Sequence, residues 1–162
     1  MKTLLLMRHA KAASTEVGST DIERPLNAEG REAAECIGKF IGEKGLKPDL
    51  GLSSSARRAR ETREIVTRAA GLALEGSDDS RIYEAGAGEL LQIISEFDDH
   101  LTSVFLVGHN PTLEDLLRIL TGNSTHLSPG TLAKIDLESQ HWRDAVLGEG
   151  KLDWVVRPKD LI

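Results

Sequence analysis

Leu4-Leu5-Leu6-Met7, followed at once by Arg8-His9-Ala10, narrows what this chain can become more than any other stretch. Four apolar residues are far short of the roughly 20 needed to cross a membrane. They read instead as a short strand buried on both faces, the kind found inside helix-covered parallel sheets. The Arg-His pair is then delivered to the carboxyl edge of the sheet, where open α/β folds keep their ligand crevices. Arg offers a planar fork suited to phosphate oxygens, and His is the side chain that is both neutral and nucleophilic near pH 7. The pair points to phosphoryl chemistry.

The rest of the chain alternates strand and helix patterns. Asn27 is a good N-cap for a helix to about Glu43, with Ala33, Ile37, Phe40 and Ile41 on one face. Asp49–Ser53 reads as a second strand, and Arg57 to about Ala70 as a helix closed by Gly71. Arg81–Tyr83 is expected to form an edge strand and Glu89–Phe97 a helix. Val104–Val107 reads as a buried strand, followed by a helix over Pro111–Leu120. Thr131–Leu137 and Leu152–Val156 close the chain as a strand pair. Such alternation predicts an α/β fold, a three-layer α/β/α sandwich with a mostly parallel sheet and an antiparallel edge. No internal repeat or linker interrupts it, so residues 1–162 are expected to form one domain.

The 162 residues carry a net charge of −6, which argues against nucleic acid as a partner. An anionic substrate therefore needs a local basic pocket on an acidic surface. With Cys36 the sole cysteine, no internal disulfide can form, which fits a reducing compartment; the expected location is the cytoplasm. Arg8, His9 and Lys11 break the N-terminal apolar run too early for a signal peptide, and no membrane partner is expected. A monomer is the default for this size.

Three strand-to-helix junctions carry the chemistry. They are Arg8-His9, the stretch Ser53-Ser54-Ser55-Ala56-Arg57-Arg58-Ala59, and Gly108-His109-Asn110-Pro111-Thr112. Parallel strands bring all three to one edge. Asn110 is expected to cap its helix with Pro111 at the first position, leaving free N–H groups toward the crevice. Arg60, Arg63 and Arg68 read as a solvated helix face, and Cys36 as packed and inert. His100, His126 and His141 read as surface residues without metal-ligand spacing.

Four ordered segments resemble the histidine phosphatase superfamily of phosphoglycerate mutase-like fold, and in particular its small SixA-type phosphohistidine phosphatases. They are Met7-Arg8-His9-Ala10, Arg24-Pro25-Leu26 with Gly30, Ser54 with Arg58-Ala59 and Thr62, and Gly108-His109-Asn110-Pro111. The resemblance implies that His9 is a nucleophile that becomes phosphorylated. It implies that Arg8 and Arg58 hold the phosphoryl oxygens and that His109 donates a further hydrogen bond. Arg24 stands where such phosphatases keep an extra basic residue. The Arg-Ala-x-x-Thr spacing selects Arg58 over its neighbour Arg57. Ala10 stands where glycine is common and should avoid positive φ. Ser55 replaces a common proline, an exchange that loosens the loop.

The general acid is open between Glu84 and Asp21, with Asp21 and Asn110 also expected to line the substrate site. A phosphohistidine leaves as imidazole and needs little acid, whereas a phosphomonoester needs a good one. The resemblance implies no cofactor and no metal, the arginines carrying the charge. The expected substrate is a phosphorylated histidine-containing protein, with small phosphorylated metabolites or a non-catalytic phosphoprotein-binding role as alternatives. Only Gly71–Gly88 is long enough to build a lid, so the pocket is expected to be open.

Overall fold

The continuous apolar runs become the central strands, and the amphipathic segments become helices laid on both faces. The computed structural model describes residues 1–74 and 76–162. In chain order it contains β1 (Lys2–Arg8), α1 (Ala28–Glu43), β2 (Leu50–Ser54), α2 (Arg57–Ala69), β3 (Gly76–Asp79) and α3 (Ala87–Ser95). β4 (Ser103–Gly108), α4 (Thr112–Thr121), β5 (Leu132–Leu137) and β6 (Lys151–Val156) follow, with short 3-10 turns between elements.

The strands form one sheet in the order β3-β2-β4-β1-β5-β6. β3, β2, β4 and β1 run parallel, and β5 reverses against β1 and pairs with β6 as the antiparallel edge. Alternate residues of the central strands face opposite layers. Leu4, Leu6, Val104 and Leu106 pack with α3 and α4 residues such as Leu90, Ile94, Leu113 and Leu117. Leu5, Met7, Phe105 and Val107 pack with Ala34, Ile37, Ile41 and Val66 of α1 and α2. All eight strand side chains are fully buried. That two-sided burial is why their sequence reads as unbroken apolar runs.

Asn27 caps α1 as expected, its side chain accepting from Gly30 N at 2.8 Å. A Cβ at Gly30 would overlap the Lys11 carbonyl oxygen, so glycine lets the first turn of α1 lie on the chain just past His9. At Gly38 a Cβ would come within 2.6 Å of the Val66 carbonyl oxygen, so α1 and α2 also meet closely. Between β1 and α1, residues 11–27 form a loop pinned at its neck. Asn27 N donates to Lys11 O at 3.0 Å and Ala13 N to Pro25 O at 2.8 Å.

Two expectations are corrected. Arg81–Tyr83 is not the edge strand; Ser80–Ile82 is a 3-10 turn, and the strand is Gly76–Asp79, paired in parallel with β2. Its sequence, Gly-Ser-Asp-Asp, has no β propensity, and pairing with β2 overrides that. Arg63 is buried rather than solvated. Its guanidinium crosses from α2 to donate to Ser53 Oγ at 2.9 Å and Ser77 O at 2.6 Å, and pairs with Asp78 at 3.3 Å. Arg63 thus ties that polar strand to the fold. Residues 76–86 are built into this sheet edge and the turn after it, and Ala87 and Gly88 open α3. No helix among the described residues is long and apolar enough to cross a membrane.

Candidate active site

Strand order decides which junctions meet. β2, β4 and β1 are neighbours, and Arg8 is in register with Gly108, so His9 and His109 emerge side by side. Their ring centroids are 5.2 Å apart. Arg58 enters from the first turn of α2, which follows β2. The resulting cleft of about 430 Å³ is lined by Arg8, His9, Asp21, Arg24, Arg58, Tyr83, Glu84, His109 and Asn110. A larger groove of about 690 Å³ between α1 and the C-terminal segment holds the half-buried Cys36 but no imidazole. The chemistry sits in the smaller one.

His9 Nδ1 lies 2.7 Å from the Ala10 carbonyl oxygen. A carbonyl only accepts, so Nδ1 carries the proton and Nε2 keeps its lone pair. Burial, with Arg58 and Arg8 adding to it, lowers the imidazole pKa to about 4 despite the opposing Ala10 bond. His9 is therefore neutral at pH 7. Ala10 avoids positive φ, as its Cβ demands. Its N–H donates to Thr62 Oγ1 at 3.1 Å, and Thr62 donates to the Arg58 carbonyl at 2.7 Å. The segment after His9 is thereby tied to the turn that carries Arg58.

His109 is also neutral, its pKa lowered to about 3 by burial first and then by His9 and Arg58. Its Nε2 lies 2.8 Å from Ser54 Oγ. Arg8 donates to the Leu127 carbonyl at 3.0 Å, while its buried Nε has no partner among the described residues. Burial lowers the Arg8 pKa and the Glu114 charge raises it.

Asp21, Arg24, Arg58 and Tyr83 form one network at the mouth. Arg58 donates to the Asp21 carbonyl at 2.9 Å and to its Oδ2 at 3.1 Å. Arg24 pairs with Oδ1 at 3.0 Å, and the Tyr83 hydroxyl donates to Oδ2 at 2.5 Å. The Tyr83 bond first, then Arg24 and Arg58, hold the Asp21 carboxyl well below the usual range. These bonds favour its charged form. Arg57 is half-exposed and pairs with Glu61, so of the two arginines it is Arg58 that lines the cleft. Tyr83 was missed, because nothing in its local sequence distinguishes it from a packing aromatic. Glu84 is exposed on the cleft wall.

Asn110 is corrected. Pro111, not Asn110, holds the N-cap position of α4, and the amide donates instead to Glu114 at 2.7 Å and to the Leu127 carbonyl at 2.8 Å. Nor does the Leu113 N–H face the crevice unpaired, since it donates to the His109 carbonyl at 2.9 Å. His100, His126 and His141 lie apart on the surface, each beside a carboxylate. Among the described residues no three His, Cys, Asp or Glu side chains gather as a metal cage.

A six-stranded α/β/α sandwich with two imidazoles and two guanidiniums at one strand edge defines a phosphoglycerate mutase-like protein. The structure named as a candidate phosphohistidine phosphatase SixA from Agrobacterium tumefaciens superposes with a TM-score of 0.84 at 30% identity, over 97% of this chain and 98% of that one. Its counterpart from Nakamurella multipartitia gives 0.83 at 26% identity, over 97% and 96%. An uncharacterised protein of Mycobacterium tuberculosis is 32% identical over 118 residues, 73% of this chain and 72% of its own length. The histidine phosphatase superfamily (branch 1) matches over residues 4–100. The chain belongs to that superfamily. His109 lies beyond the matched stretch and joins the site through the fold.

Proposed function

We propose that this protein hydrolyses phosphohistidine on a signalling or phosphotransfer protein through a phospho-His9 intermediate. The Nε2 lone pair of His9 attacks phosphorus as the substrate's P–N bond breaks and its imidazole leaves. Arg8, Arg58 and His109 hold the three equatorial oxygens, where charge builds in a loose transition state. Water then attacks phospho-His9, releasing inorganic phosphate and the free imidazole. Arg24 adds positive field at the mouth, and Asp21 holds Arg24 and Arg58 in place. Asn110 acts indirectly, by bracing the Leu127 carbonyl that receives Arg8.

One observation carries this reading. The Nδ1–H bond to Ala10 fixes a neutral tautomer whose remaining nitrogen is a nucleophile, in a cleft that also holds the guanidiniums of Arg8, Arg24 and Arg58. The substrate class rests on two supports. The superposed relatives are named as phosphohistidine phosphatases, and the ionised Asp21 is a poor proton donor to an alkoxide leaving group.

Incubation with labelled phosphoramidate should place acid-labile phosphate on the wild-type chain and none on His9→Ala. Anion binding without label on His9 would point to the phosphoprotein-binding alternative and end the catalytic reading. Glu84 on the cleft wall supports a second reading, a broad phosphomonoesterase with Glu84 as general acid. Glu84→Gln separates the two. Phosphohistidine turnover should survive it within a few-fold, while an esterase would lose about 10²-fold or more on alkyl phosphates. Small esters hydrolysed far faster than any phosphohistidyl protein would overturn the substrate class.

A further inference from the structure

We infer that Ser54 is a positioning residue that sets the tautomer of His109, so that the N–H it presents to the anion is Nδ1–H. The inference deepens the phosphatase reading, on which its kinetic consequence rests. Ser54 is fully buried at the end of β2. Its hydroxyl oxygen accepts from Ala56 N at 3.1 Å, which turns the chain into α2, and lies 2.8 Å from His109 Nε2. Among the described residues these are the only hydrogen-bond partners of Ser54 Oγ.

Two arrangements of the proton are conceivable. If Nε2–H donated to Ser54, the hydroxyl oxygen would accept twice and its own buried hydrogen would have no acceptor. A buried donor left unpaired loses its bonds to water with nothing in exchange, which disfavours that arrangement. If Ser54 donates to Nε2 instead, every group is satisfied, and the ring proton must sit on Nδ1. Nδ1 makes no bond to the described residues, and the His109 ring lines the cleft.

The choice matters because the His109 ring is uncharged at neutral pH and has one N–H to give. With the proton on Nε2, the cleft-side nitrogen would turn a lone pair toward phosphoryl oxygens. With it on Nδ1, the ring is a donor. Two neighbouring imidazoles thus hold complementary roles through two different partners. The Ala10 carbonyl draws the His9 proton to Nδ1 and frees Nε2 as a lone pair. The Ser54 hydroxyl blocks His109 Nε2 and keeps Nδ1 protonated.

Imidazole ¹⁵N shifts of the full chain at pH 7.5 test this directly. Wild-type His109 should read as the Nδ1–H tautomer. Ser54→Ala should move it toward Nε2–H and lower kcat/KM about tenfold, less than the 10²–10³ of deleting a donor outright. Ser54→Thr keeps the hydroxyl and should retain the wild-type tautomer. A wild-type His109 found as Nε2–H, or a tautomer unchanged in a folded Ser54→Ala, overturns the inference. The spectrum needs no turnover, so this result stands apart from the fate of the phosphatase reading.

Discussion

Arg57 and Arg58 are adjacent in sequence and opposite in fate. Arg58 points into the cleft and meets Asp21, while Arg57 lies in solvent against Glu61. Arg58→Ala should lower kcat/KM on a phosphoryl donor by about 10²–10³, the loss typical for one preorganised charge donor. Arg57→Ala should stay within about threefold; comparable losses would mean that both arginines serve the anion. Tyr83→Phe removes the hydroxyl that holds Asp21, so the carboxyl pKa should climb toward the ordinary aspartate value, read by ¹³C NMR titration. At this scale the sequence disclosed residues whose chemistry is specific, such as the Arg-His pair and the second histidine. Ser54 and Tyr83 act through partners far along the chain. Their functions exist only where β2 meets β4 and where the turn after β3 meets residue 21.

The elements were legible wherever one physical signal dominated. β1 and β4 are unbroken apolar runs because they are covered on both faces, and α1 announces itself through Asn27 and its apolar stripe. β3 was not legible, because its polar residues are held by a neighbour's ladder and by Arg63. The start of α4 was misjudged because Asn110 had a better partner than the helix end, namely Glu114. That carboxylate accepts from Asn110 at 2.7 Å and from Leu127 N at 2.9 Å, bracing the carbonyl that receives Arg8. Glu114→Ala strands both donors and should destabilise the fold by about 1–3 kcal/mol in urea unfolding. KM for the phosphoryl donor should rise as Arg8 loosens; a KM unchanged in the folded variant would disconnect Glu114 from the site. Gly30→Ala is the sharper test of packing. Its methyl would collide with the Lys11 carbonyl, so stability should drop by about 1–3 kcal/mol with the loop over residues 11–27 displaced. Unaltered stability would show that the close approach is dispensable.

For the whole molecule, the clustering of two buried neutral imidazoles has a thermodynamic consequence. Their folded pKa values are about 4 and about 3, below the roughly 6.5 of an unfolded chain. Between pH 6.5 and 4 these rings bind more protons in the unfolded state, so their contribution to stability falls as pH falls, by up to about 1.4 kcal/mol per pH unit for each ring. Above pH 7 neither ring contributes any slope. Urea midpoints should decline from pH 7 to pH 5, and a His9→Asn, His109→Asn double variant should flatten that decline; an equally steep variant would refute it. In this acidic chain Arg8, Arg24 and Arg58 line a single cleft together. What the linear sequence determined was the layer architecture and the chemical types available, since apolar period and residue chemistry are local properties. Which groups touch, which proton sits on which nitrogen, and which carboxyl stays charged were decided only by the sheet order β2-β4-β1 and the loop folded over its edge. Those depend on distances between residues that are remote along the chain, and no local pattern encodes them.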